Sequence, residues 1–150
     1  MAERPKEMDE FLSEPRMVRL GTTNADGSPH VVPLVYVFDP AEGSFFISTG
    51  ADSVTTRNLR RNPAVTLCID DDTAPFRAVI AEGEAQVSEP MGTDHEGIKR
   101  GVEHFFGPGA WESYKKTPVA QKIRVRVNVV PKKWAWWDHR RKLMGSARID

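Results

Sequence analysis

Phe45-Phe-Ile-Ser-Thr-Gly-Ala-Asp-Ser-Val-Thr-Thr-Arg-Asn-Leu-Arg-Arg-Asn-Pro63 reads as a strand that opens directly into a helix. The apolar run Phe45 to Ile47 ends in Ser48-Thr49-Gly50. Asp52 or Ser53 is then placed to cap a short helix, which carries Arg57, Arg60 and Arg61 and stops near Asn62-Pro63. A helix N-terminus at the end of a strand presents unpaired N–H groups and the positive end of the helix dipole, a natural seat for a phosphate. Hydroxyls crowd the same turn at Ser48, Thr49, Ser53, Thr55 and Thr56. A capped surface helix with a solvated basic face accounts for the same residues, so the phosphate reading needs support from the rest of the chain.

Working outward, the pattern is one of short strands and few helices. Pro5 to Ser13 reads as an opening helix, with Met8, Phe11 and Leu12 near helical spacing and Pro15 behind it. Met17 to Thr23 is a first strand, and Asn24-Ala-Asp-Gly27 is turn chemistry. Val31 to Phe38 is apolar at almost every position and reads as one strand buried on both faces, with Pro33 marking an edge or a bulge. Ser44 to Ser48 and Ala64 to Ile69 flank the short helix, and Asp70-Asp-Asp72 forms an acidic corner. Phe76 to Val87 reads as one bent strand with a bulge at Gly83. Met91 to Phe106 reads as a helix interrupted by glycines, and Trp111 to Lys116 as a further turn or two. Ile123 to Val129 alternates cleanly, and Lys133 to Asp138 reads as a separate final strand after a break at Pro131. The expected organisation is a single domain over 1–150, with an N-terminal helix in 1–14 and a basic, loosely ordered tail over 139–150. Six or seven short strands joined by turns predict a small antiparallel β-barrel.

Composition narrows the functional classes. The chain has 150 residues, with 21 Lys+Arg against 21 Asp+Glu and no formal net charge. Bulk electrostatic attraction to nucleic acid or to a membrane is therefore missing. The polar N-terminus through Glu14 lacks a secretory pattern, and no apolar run approaches the ~18 residues that span a bilayer. The cytoplasm is the expected compartment. Cys68 is the single cysteine and is expected to be a buried, inert thiol. His30, His95, His104 and His139 lack metal-ligand spacing, and no Ser/His/Asp set or carboxylate pair stands out, so no metal is expected and no catalytic side chain is assigned. Trp134 and Trp136 share one strand face while Trp137 points the other way. They serve either as core and interface packing or as a wall of a cofactor pocket.

Thr22-Thr-Asn-Ala-Asp-Gly-Ser-Pro-His-Val-Val-Pro33, Arg57-Asn-Leu-Arg-Arg-Asn-Pro-Ala-Val-Thr-Leu67 and Gly83-Glu-Ala-Gln-Val87, taken with the opening segment, resemble the pyridoxamine 5'-phosphate oxidase-like split-barrel family. The likeness runs from about Phe11 to Asp138 and leans toward the branch of deazaflavin-dependent (coenzyme F-420) oxidoreductases. The resemblance implies a mainly β fold, an antiparallel split β-barrel with short helices. It also implies a homodimer with cofactor sites at the subunit interface and a small-molecule substrate. The implied cofactor contacts are Val32 and Pro33 beside the ring system, Ser48, Thr49, Thr55, Arg57 and Asn58 around the phosphate, and Ala78 and Trp134 near the ring. Three positions depart from the family pattern: Val54 and Thr55 stand where a basic pair is common, and Ala78 stands where oxidases carry glutamine.

The expected function is an oxidoreductase that binds coenzyme F-420 or FMN and transfers hydride to a small organic substrate. The likeness of Arg57 to Cys68 and of Val31-Val-Pro33 favours the deazaflavin. A carrier or sensor holding a flavin or a tetrapyrrole such as haem or biliverdin, without turnover, is the main alternative. A barrel that binds nucleic acid through Arg57, Arg60, Arg61 and Arg140 to Lys142 is a third, against which the zero net charge counts.

Overall fold

The computed structural model describes residues 3–140. Its elements, in chain order, are α1 (Lys6–Ser13), β1 (Met17–Thr23), β2 (Pro29–Val35), β3 (Val37–Asp39), β4 (Ser44–Gly50), α2 (Val54–Arg61), β5 (Ala64–Asp70), β6 (Arg77–Val87), α3 (His95–Phe106), α4 (Trp111–Tyr114), a 3-10 turn (Pro118–Gln121) and β7 (Arg124–Asp138). The seven strands form one antiparallel sheet in the order β2-β1-β5-β6-β7-β4-β3, curled into a split barrel. The inward-facing residues of successive strands, among them Leu20, Phe45, Ile47, Leu67, Val79, Val125 and Val127, make one core, closed at its wall by Phe11 and Leu12 of α1. Period-two alternation places them there, and burial of these side chains is the main term holding the barrel.

Three sequence expectations are corrected. Val31 to Phe38 is two strands, because the chain turns at Tyr36, leaves β1 and pairs with β4 instead. The Tyr36 hydroxyl donates to the Leu12 carbonyl at 2.9 Å and holds that turn against α1. The first half lies at the sheet edge, which is where Pro33 is tolerated. Its outer face is open in a single chain: Val31 is 63% exposed. Pro131 does not break the last strand. The β6–β7 register shifts between Glu82 and Gly83, so Glu82 faces Lys133 and Gly83 faces Pro131. Gly83 suits this point because a Cβ would stand 3.1 Å from both the Pro131 Cα and the Val130 carbonyl oxygen, close enough that the strands would have to shift slightly. The long helix begins at His95, four residues later than its apolar pattern suggests. Asp94, at φ 43°, caps it by accepting from the Gly97 N–H. Asp is among the few residues that enter the left-handed region readily.

Cys68 is half-buried rather than buried. Burial, then the Asp70 charge, pushes its thiol above the ordinary range. At the C-terminal end, the His139 N–H donates to the Phe76 carbonyl, and Arg140 pairs with Asp138 at 2.6 Å. The remainder of the expected tail lies outside the described residues.

Candidate functional site

The corner between β4 and α2 is built by short-range bonds. Ser53 is the cap: its side chain accepts from the Thr56 N–H at 3.1 Å. The Thr56 hydroxyl donates to the Gly50 carbonyl at 2.7 Å, and the Ala51 N–H donates to the Ile123 carbonyl, which ties the corner to the start of β7. Ser53 satisfies one N–H of the first turn, leaving those of Val54 and Thr55 without intrahelical acceptors. No acidic residue stands in that turn to compete for them. The arrangement can seat an oxyanion.

The structure separates the phosphate residues expected from the sequence. Arg57 is exposed and donates to the Asp52 carbonyl, so its guanidinium lies over the loop that enters the helix. Thr55 is only 3% exposed. Asn58 is committed elsewhere: its Nδ2 donates to Thr22 Oγ1 and to Asn24 Oδ1, each at 3.0 Å, and its Oδ1 accepts from Arg61. It locks α2 to β1 and has little capacity left for a ligand. Arg60 and Arg61 are also spent within the fold, donating to the Ser88 and Thr23 carbonyls. Thr49 points inward with Phe45 and Ile47, whereas Ser48 faces outward with Phe46.

The ring-side residues divide likewise. Val32 packs toward the core and Pro33 lines an outer cleft. Ala78 is buried opposite Trp137, while α2 is tied to the other end of β6 through the bond from the Ala85 N–H to the Pro63 carbonyl. The two ends are about 23 Å apart at ~3.3 Å per residue. Trp134 packs against Phe45 and Phe38, with ring centroids 5.8 and 6.4 Å away, and the Arg4 guanidinium lies 5.5 Å from its ring centroid. Its Nε1 is buried without a hydrogen-bond partner among the described residues. Trp136 shares its face and packs on Phe11 at 5.3 Å. In one chain, therefore, Ala78 and Trp134 stand far from the β4–α2 corner.

Two concavities sit against the outer face of the sheet. A shallow groove of about 670 Å³ runs across β2, β1, β5 and β6, lined by small residues including Gly21, Val31, Thr66 and Cys68. A tighter cleft of about 240 Å³ lies between the sheet and α3, with Pro33, Val35, Phe46, Ser48, Ile98 and Arg124 among its walls. Sequence reading missed its polar floor. Arg124 and Arg126 alternate outward from a strand, and that pattern says nothing of a helix lying over them. Arg126 donates to Asp94 at 2.7 and 3.0 Å, and this pairing holds the Asp94 carboxyl below the usual carboxylate range. Arg100 and Arg126 both approach the Phe46 ring, at 4.7 and 5.8 Å from its centroid. Among the described residues no group of three His, Cys, Asp or Glu side chains is placed to hold a metal ion. No helix among them is long and apolar enough to cross a membrane.

Comparison with known proteins agrees with this architecture. The conserved hypothetical protein Rv2991 from Mycobacterium tuberculosis superposes with a TM-score of 0.76 at 28% identity, over 100% of this chain and 92% of that one. An F420 reductase superposes with a TM-score of 0.71 at 22% identity, over 88% of this chain and 98% of the other, a likeness of fold. The 5a,11a-dehydrotetracycline/5a,11a-dehydrooxytetracycline reductase of Streptomyces rimosus is 39% identical over 75 residues, covering 45% of this chain. The matched segment spans about half, 52%, of that relative's length. The family model described as pyridoxamine 5'-phosphate oxidase matches residues 5–138, which takes in every strand of the barrel. With the seven-stranded split barrel and its strand-to-helix corner between β4 and α2, the chain belongs to the pyridoxamine 5'-phosphate oxidase family.

Proposed function

We propose that this protein is a cytoplasmic oxidoreductase that binds coenzyme F-420 in preference to FMN and acts on a small organic molecule. The observation that carries this is the α2 N-terminus: a Ser53-capped first turn with two open N–H groups, no acid, and the Arg57 guanidinium over the entering loop. This corner fits a phosphate monoester or diester, since backbone donors and one exposed cation supply what an oxyanion needs. The N–H groups of Val54 and Thr55, with Arg57, would hold the phosphate. When bound, the cofactor supplies hydride transfer; the protein supplies binding, orientation and a dry wall.

Weak electrostatic support favours the deazaflavin. Val54 and Thr55 bring no cation, and Ala78 offers no side-chain hydrogen bond to a reduced FMN ring. The similar F420 reductase and the tetracycline reductase support a redox role for this barrel. Because Ala78 and Trp134 lie far from α2 in one chain, a cofactor touching both groups needs a second copy, so the functional unit is a homodimer. The groove across β2, β1 and β5 is the face proposed to meet that copy. The test is a side-by-side fluorescence titration with F-420 and FMN, followed by an anaerobic screen of quinone and enone acceptors. Tighter binding of F-420 with turnover of an acceptor is expected. Submicromolar FMN binding without F-420 binding would reverse the cofactor choice. Binding of neither would direct attention to a carrier of haem or biliverdin.

A further inference from the structure

The cleft beneath α3 holds a guanidinium that makes no direct ion pair among the described residues. Arg124 is 8% exposed and has no carboxylate partner among the described ion pairs. It donates to the Val119 carbonyl at 3.1 Å and, at the 3.5 Å limit, to the Ser48 carbonyl. Its Nε is buried and has no hydrogen-bond partner among the described residues, and the same holds for Ser48 Oγ. Asp94, the nearby carboxylate, is occupied by Arg126 and the Gly97 N–H. A buried cation facing two neutral carbonyls, beside an unused hydroxyl, is costly unless an anion completes it. The rest of the cleft is apolar and flat: Pro33, Val35, Phe46 and Ile98 line it, and Gly101 keeps the helix close to Val35. Val102, Phe106 and Tyr114 continue from this cleft into an apolar groove of about 330 Å³ between α3 and α4.

We propose that this cleft is the substrate site, and that it takes a small organic carboxylate: the carboxylate on Arg124 Nε and Ser48 Oγ, a planar apolar body against Phe46 and Pro33, and any apolar tail directed toward Phe106 and Tyr114. At about 240 Å³ the cleft falls below the ~300 Å³ at which drug-sized ligand pockets begin, so it suits a small acid and is too tight for a tricyclic cofactor with its phosphate chain. The substrate role rests on the oxidoreductase reading; the anion site stands without it.

The test is calorimetric titration of the cofactor-free full chain with benzoate and with benzamide, its neutral counterpart. Benzoate should bind at least tenfold more tightly than benzamide, the worth of a charge-assisted pair. Arg124→Gln should remove that preference. Because Arg124 also ties β7 to the 3-10 turn, Gly101→Val is the second variant. It fills the cleft without removing any guanidinium bond, and should abolish binding of both compounds while the protein still melts cooperatively. Benzoate should bind equally well to protein saturated with F-420. Equal affinity for the two compounds, or wild-type binding by Gly101→Val, would overturn the site. Expulsion of benzoate by F-420 or FMN would overturn the substrate assignment and give the guanidinium to the cofactor. If neither cofactor binds while benzoate does, the cofactor reading fails and the anion site remains.

Discussion

Asn58 shows how one buried amide sets the position of a whole corner. It makes three hydrogen bonds, to Thr22, Asn24 and Arg61, at 3% exposure. Asn58→Ala should cost about 2–3 kcal/mol by leaving buried partners unpaired, a fall in melting temperature of roughly 5–10 °C by thermal denaturation. Arg57 behaves differently, since it is exposed and, among the described residues, its guanidinium is bound to a carbonyl of its own loop. Arg57→Ala should leave the melting temperature unchanged and raise the F-420 dissociation constant about tenfold, the worth of one charge-assisted bond. Unchanged affinity would move the phosphate away from α2. Restoring a cation also depends on burial. Val54 is 40% exposed and Thr55 only 3%, so Val54→Arg should tighten cofactor binding, whereas a lysine at Thr55 must first be desolvated. At this scale the sequence identified residue types well and their duties less well. Ser48 and Thr49 are neighbours in the chain yet point to opposite sides of the sheet, and Asn58 is claimed by a strand more than 30 positions earlier.

Among the elements, α3 and the β6–β7 pair carry the structural decisions. Asp94 caps α3, pairs with Arg126 on β7, and would collide with any Cβ on Gly97. The glycine that weakens the helix is therefore the one that admits its cap. The Arg126 hydrogen bonds hold Asp94 below its ordinary range. Asp71 is likewise lowered, because bonds from Arg77 and Arg16 outweigh the upward push of burial. Both groups have depressed folded values, so their contribution to stability is present above the unfolded carboxylate value of about 4 and is lost as pH falls through the folded values. Melting curves should fall below about pH 4, and Asp94→Asn should show a smaller loss there than the parent, starting from a lower stability. Gly83→Ala tests the bulge: a methyl group 3.1 Å from Pro131 and Val130 forces β6 and β7 apart and should cost about 1–3 kcal/mol in chemical denaturation. A wild-type midpoint would show that the strands have slack there. Gly83 was readable as a bulge from the chain. That Pro131 passes through it was not, because the break it suggests is absorbed by one extra residue on β7 itself, Lys132, opposite the Glu82–Gly83 step.

For the whole molecule, the decisive question is what covers the outer face of β2, β1 and β5. Val31 is 63% exposed beside a groove of about 670 Å³, and Ala78 and Trp134 lie at the far end of the barrel from α2. Sedimentation equilibrium at micromolar concentration should give a dimer, and Val31→Asp should shift it toward monomer and weaken F-420 binding in parallel. A monomeric wild type would remove the two-copy site. The local patterns of the chain determined most of the barrel. Alternation set the strands, turn residues set their ends, and Ser53 set the start of α2, because each of these depends on neighbours within a few positions. The split of Val31 to Phe38 into β2 and β3, the continuous β7 and the Arg124 cleft were decided only in three dimensions. A strand's choice of partner and the burial of its outer face depend on elements tens of residues away, and a guanidinium reads as solvated until a distant helix is laid over it.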